Sequence, residues 1–202
     1  MVIIRRPKHE KCMSAALGTK FSALGEEIDT TDLSCVVNVD TNFSSSRLRS
    51  ALAFEDSAGN FSKEMELGGN MAVAVSGLAS CGGVIVTNKE CTHAVAGHCG
   101  GQLYLREDWC KYINKQLADN GGPYYLIVAS GPSDENEDRL TGVAEEYRKA
   151  LNIKDKDNRI VLFYRYGGIG VANGQVFAQT GPGFKFDDQK PKKKKNKECV
   201  IL

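Results

Sequence analysis

The chain has 202 residues and is 42% hydrophobic, 25% charged and 8% aromatic, which supports one buried core and excludes collagen-like and wholly disordered classes. Its formal net charge of +1 hides an asymmetry: six of the 26 basic residues and one of the 25 acidic residues fall in 189–202, leaving 1–188 at −4. Such an acidic body argues against nucleic-acid binding, which needs basic surface to displace counterions; no apolar run approaches the roughly 20 residues of a membrane span.

In chain order, residues 1–30 are weakly patterned. Leu33–Val39 is rich in β-branched residues and predicts a strand, with another at Leu48–Phe54 before the turn Ser57-Ala58-Gly59-Asn60. Met71–Val75, Val84–Thr87 and Thr92–Ala96 predict three more strands, and the last two flank Asn88-Lys89-Glu90-Cys91, which reads as a short hairpin loop. Leu105, Trp109, Ile113 and Leu117 recur at four-residue steps and predict a helix that Gly121-Gly122-Pro123 ends. Tyr124–Ala129 predicts a buried strand. Ser133 predicts an N-cap for a second helix, with Asp134, Glu135 and Glu137 in its first turn and an apolar stripe of Leu140, Val143, Ala144, Tyr147 and Leu151. Asn158–Tyr164 and Val171–Gln179 each predict one further strand. Strands that precede and separate two helices without regular alternation predict an α+β class. The predicted organisation is a single domain over 1–184 and a flexible polybasic tail over 185–202.

The tail carries its own signal. Cys199-Val200-Ile201-Leu202 fits a C-a-a-X prenylation box whose terminal leucine favours geranylgeranylation. Lys192, Lys193, Lys194, Lys195 and Lys197 stand just upstream. One lipid chain binds membranes marginally, and a lysine cluster adds about 1 kcal/mol per residue through anionic lipid. The expected partners are a prenyltransferase and the anionic cytoplasmic leaflet. The expected location is the cytoplasmic face of a eukaryotic membrane, the plasma membrane by preference, for a eukaryotic protein or a bacterial effector. A small GTPase also has such a tail, but this chain lacks the G-x-x-x-x-G-K-[S/T] loop that cradles phosphates. The seven cysteines form an odd set, and no signal peptide opens the sequence, so a reduced intracellular setting is expected.

Chemistry concentrates in 76–102, which holds Cys81, Cys91, His93, His98 and Cys99. If Val84 pairs with Val95 in a hairpin, Cys81 falls opposite His98, within proton-sharing distance. Strand alternation puts His98 on the face of Ala94 and Ala96 and His93 on the other. Zinc is the rival use, but His93-x₄-His98 comes without a close cysteine pair, so no metal and no cofactor are expected. Cys35 and Cys110 sit in apolar patterns and read as core residues. Gly82 and Gly83 follow Cys81 and can expose amides that hold an oxyanion.

Leu78-Ala79-Ser80-Cys81, with His98 seventeen residues on, resembles the L-G-S-C…H signature of the CheD-type chemoreceptor glutamine deamidases. More distantly it resembles the S-G-C…H arrangement of the cytotoxic necrotizing factor and Burkholderia lethal factor toxins. The resemblance implies an α/β/β layered fold, with mixed, mainly antiparallel sheets and two principal helices. It implies hydrolysis of a glutamine side chain on a protein substrate, with Cys81 as nucleophile, His98 as general base and Ser80, Gly82 and Gly83 in support. The CheD-type enzymes carry a catalytic threonine six residues before the cysteine, where this chain has Val75 and then Ser76. The group that orients His98 stays open among a backbone carbonyl, Gln175 and Asn173. A membrane-tethered deamidase would meet Rho- or Ras-like GTPases, whose catalytic glutamine orients water. Two other classes stay open: another Cys–His acyl-transfer enzyme (a protease or transglutaminase), and a non-catalytic membrane-anchored interaction module with an unreactive Cys81.

Overall fold

The computed structural model describes residues 3–5, 13–16, 35–40, 54–55, 61–66, 71–99, 105, 107–154, 159–172 and 174–179. The polybasic tail with Cys199, His9, Cys12, Asn173 and most of Leu48–Phe54 lie outside the described residues. The fold is α+β, as the element pattern predicts. Its strands are β1 (Ile3–Arg5), β2 (Met13–Ala16), β3 (Cys35–Asp40), β4 (Phe54–Glu55), β5 (Phe61–Glu66), β6 (Met71–Ser76), β7 (Gly82–Thr87), β8 (His93–Cys99), β9 (Tyr125–Ser130), β10 (Ile160–Phe163), β11 (Gly168–Ala172) and β12 (Gln175–Gln179). The helices are α1 (Glu107–Leu117) and α2 (Glu137–Ala150). Neither is long and apolar enough to cross a membrane.

Two sheets form. The larger has seven strands in the order β1-β10-β9-β7-β8-β5-β4, and the smaller has five in the order β2-β12-β11-β6-β3. Pairing is mainly antiparallel, with parallel contacts at β1–β10, β10–β9 and β3–β6. Alternation sorts the larger sheet's residues between two cores. Val84, Val86, Val95, Leu126, Val128, Ile160 and Leu162 face the helices, packing with Trp109, Ile113, Leu117, Leu140, Val143 and Tyr147. Ile85, Ala94, Ala96, Ile127, Ala129, Val161 and Phe163 face the smaller sheet, packing with Val73, Val75, Ile169, Val171, Val176 and Ala178. The layers therefore run α/β/β.

Several expected boundaries shift. The predicted strand Val171–Gln179 is a hairpin, in which Ala172 pairs with Gln175 across a turn whose Gly174 has φ +70°. Asn173-Gly174 is a strong two-residue hairpin signal, and it splits the run. The N-cap of α2 is Asn136, whose Oδ1 accepts from the Arg139 amide at 3.0 Å; it replaces the expected Ser133. Ser133 instead donates its amide to the Ala79 carbonyl. Strands β1, β2 and β5 have no counterpart in the predicted set. They are recruited by distant partners: Ile3 pairs with Val161, Ala16 with Gln175, and Phe61 with His98.

Candidate functional site

Cys81 sits where the chain leaves the smaller sheet at Ser76 and enters the larger at Gly82. Three backbone contacts fix this crossing segment. The Leu78 amide donates to the Gly167 carbonyl at 3.1 Å, the Gly131 amide donates to the Cys81 carbonyl at 3.0 Å, and the Ser133 amide donates to the Ala79 carbonyl at 3.0 Å. A fourth bond, from the Ala79 amide to the Gly77 carbonyl at 2.8 Å, tightens the turn, with Gly77 at φ +74°. Gly131 is required by space: a Cβ there would lie 1.6 Å from the Leu78 carbonyl oxygen. Ala79 and Ser80 are exposed, and Cys81 is half-buried. Among the described residues, no backbone carbonyl accepts from the amides of Ser80 or Cys81.

The β7–β8 register differs from the expected one by two residues. Val84 pairs with Gly97, not Val95, and His98 stands opposite Gly83, not Cys81. The reason lies in the hairpin loop. Asn88 Oδ1 accepts from the amides of Thr92 and His93, at 2.9 and 3.0 Å, and its Nδ2 donates to Thr92 Oγ1 at 2.8 Å. Cys91 takes a left-handed φ of +53°. The loop thereby absorbs Thr92, and the first ladder pair becomes Thr87 with Ala94.

A two-residue shift keeps every side chain on its own face. His98 shares the inter-sheet face with Ala94, Ala96 and Gly83, and Cys81 packs against that same inter-sheet core. His98 is fully buried. Cys81 precedes Gly83 by two positions and so stands diagonal to His98, at roughly 7–8 Å between backbone positions in a regular ladder. The residue between them on that face is Gly83, which has no side chain. Val75 Cγ1 and Leu78 Cδ1 both come within 3.2 Å of where a Gly83 Cβ would be, so an apolar lid lies over the gap. Gly82 is buried between Cys99 on β8 and Ser130 on β9.

The other singled-out residues lie elsewhere. His93 is half-buried at the far end of β8, with Nδ1 3.2 Å from Thr92 Oγ1. Five residues of strand, about 17 Å, separate it from His98, and Cys91 is beyond it. Gln175 is exposed at the β11–β12 turn, whereas Gly168 at the other end of β11 pairs with Ser76. It therefore does not join Cys81 and His98. Cys110 is buried on the helix side, where burial and then the Glu107 charge push its thiol up to about 12. Burial also raises the Cys91 thiol; Glu90 adds to this and a contact with Thr87 opposes it.

The sequence singles out Cys81 and His98 but not Gly131, Ser133 and Gly167, whose backbone groups hold the segment from Leu78 to Cys81. Gly131-Pro132 after an apolar run is readable as a turn. Its partner, 50 residues earlier, is not.

No protein-family model matches the chain, and no curated protein matches it. Among solved structures, it is similar to the C-terminal domain of CNFy from Yersinia pseudotuberculosis, at 12% identity and a TM-score of 0.30. The match covers 70% of this chain and 54% of that chain, so the chain spans about half the length of that structure.

Proposed function

We propose that this protein is a glutamine deamidase that converts a glutamine side chain of a protein substrate to glutamate through a Cys81 thioester. One observation carries the reading: a half-buried cysteine and a buried histidine share one face at one end of a sheet, on either side of Gly83. His98 takes the Cys81 proton, and the thiolate attacks the carboxamide carbon. The amides of Ser80 and Cys81 hold the oxyanion, with Gly82 and Gly83 letting the backbone pass close to the substrate. Ammonia leaves with a proton from His98, and water then hydrolyses the thioester to the acid.

The tail supports action at a membrane, since the Cys199 box and the lysines from Lys192 to Lys197 provide a lipid and an electrostatic signal together. A Rho- or Ras-like GTPase at that surface is the substrate class we propose. The test compares eukaryotic cells expressing the wild type or Cys81→Ala, with mass spectrometry of membrane proteins for glutamine-to-glutamate conversion. Conversion that depends on Cys81 supports the reading and names the target. Cleavage or crosslinks in place of conversion would transfer it to a protease or transglutaminase, and two indistinguishable samples would leave an anchored binding module.

A further inference from the structure

The loop from β10 to β11 lies against the nucleophile segment. Gly167 accepts from the Leu78 amide, and Tyr166 donates its amide to the Ser130 carbonyl at 2.9 Å. The exposed residue of this loop is Arg165, at φ +64°. That is a left-handed conformation which glycine adopts freely and a side chain resists. An arginine nevertheless stands there, and its head group is held. Its Nε donates to the Pro132 carbonyl at 3.0 Å, and its amide donates to Ser130 Oγ at 3.3 Å. Pro132 lies between Gly131 and Ser133, the two residues whose amides hold Cys81 and Ala79. The guanidinium is therefore fixed over the loop that positions the candidate nucleophile.

With Nε engaged, the two-pronged Nη1/Nη2 end is left to recognise an anion. Among the described residues, no carboxylate forms an ion pair with Arg165. The buried Asp134 on the neighbouring loop is already taken by Arg139, at 3.0 Å. Glu135 is exposed on that loop.

We propose that Arg165 forms an anion subsite beside Cys81 that takes a carboxylate of the protein substrate, close to its target glutamine. The inference rests on Cys81 being the nucleophile. Iodoacetate and iodoacetamide probe it without a known substrate: each alkylates a thiolate with loss of iodide, and only the first carries a charge. The readout is the ratio of the two rates at Cys81, followed by mass spectrometry of the Cys81 peptide in the full chain.

Arg165→Gln is expected to lower the iodoacetate-to-iodoacetamide ratio about threefold at low ionic strength, with Arg165→Lys retaining most of it. Added salt should bring the wild-type ratio down to that of Arg165→Gln. Arg165→Gly relieves the left-handed backbone, so an equal fall in the ratio with an undiminished melting temperature excludes unfolding as its cause. An unchanged ratio in Arg165→Gln overturns the subsite. The nucleophile reading fails separately: it is lost if His98→Ala leaves the absolute iodoacetamide rate at Cys81 unaltered.

Discussion

The two faces of the larger sheet solve different problems with the same strands. The helix face is filled with large residues: Trp109 meets Tyr147 edge-on at 5.7 Å, and Gly97 leaves room for the indole, since a Cβ there would lie 2.1 Å from Trp109 Cζ2. The inter-sheet face mixes Ile85, Ile127, Val161 and Phe163 with small residues, Gly83, Ala94, Ala96 and Ala129, against Val73, Val75, Ile169 and Val171 of the smaller sheet. The faces treat cysteine differently too. Cys99 and Cys110 are sealed into the helix-side core, whereas Cys81 stands half-buried at the edge of the inter-sheet core. Half-buried Cys81 and buried His98 share the inter-sheet side of the larger sheet, and the helix layer packs on its opposite face.

Trp109→Ala should separate these roles most sharply. It opens a cavity in the helix-side core and is expected to cost about 3–5 kcal/mol in urea unfolding. The Cys81 alkylation rate of the molecules that remain folded should be unchanged. A changed rate would show that the two faces are coupled.

Gly131→Ala attacks the other side. Its Cβ would collide with the carbonyls of Leu78 and Ala79, at 1.6 and 2.4 Å, so the segment leading to Cys81 must move. Displacement of about 1 Å can cost on the order of 100-fold in rate. We expect a loss of that size in Cys81-dependent glutamine conversion, measured alongside circular dichroism to show that the sheets persist. Full activity would mean that the crossing segment is not held as its hydrogen bonds indicate.

The thiols themselves give a pH test. The Cys110 thiol is raised from 9.0 to about 12, so between these values the unfolded chain ionises it and the folded chain does not. The folded state then binds more protons, and stability falls as pH rises from 9.0 through about 12. The limiting slope for one proton is about 1.4 kcal/mol per pH unit. Below pH 9 the urea midpoints of wild type and Cys110→Ala should keep a constant separation, and above pH 9 the wild-type midpoint should fall relative to that of Cys110→Ala. Curves that stay parallel above pH 9 would place Cys110 outside the sealed core.

Much of this contrast is legible in the sequence. Helix stripes such as Leu140, Val143, Ala144 and Tyr147 follow from period alone, and alternation alone assigns Ala94, Ala96 and His98 to one face. What period cannot give is register. The shift that moves His98 from Cys81 to Gly83 is set by side-chain bonds of Asn88 to Thr92 and His93, which local patterning does not encode. Strand β5, Phe61–Glu66, carries Lys63, Glu64 and Glu66, so its composition hides a strand that pairing with β8 creates. The contact between Gly131 and Cys81 is a long-range packing event between two loops, invisible to any window of sequence.

The smallest expected effect lies where the two regions meet, in the loop from Gly131 to Asn136. Its first half donates amides to the carbonyls of Cys81 and Ala79, and its last residue caps α2 through Asn136 Oδ1. Asn136→Ala removes that cap and leaves one helix N–H unsatisfied, a loss of about 1 kcal/mol. Ser133→Ala keeps the backbone amide that binds Ala79 and removes a hydroxyl that does not cap the helix, so it should be close to neutral. If instead Ser133→Ala costs the full cap and Asn136→Ala costs nothing, the helix begins earlier, at the residue that sequence pattern alone selects. The loop would then be drawn toward the helix layer, away from Cys81. Measuring both variants by thermal melting, with the Cys81 alkylation rate read on the same samples, tests whether this one loop serves both faces.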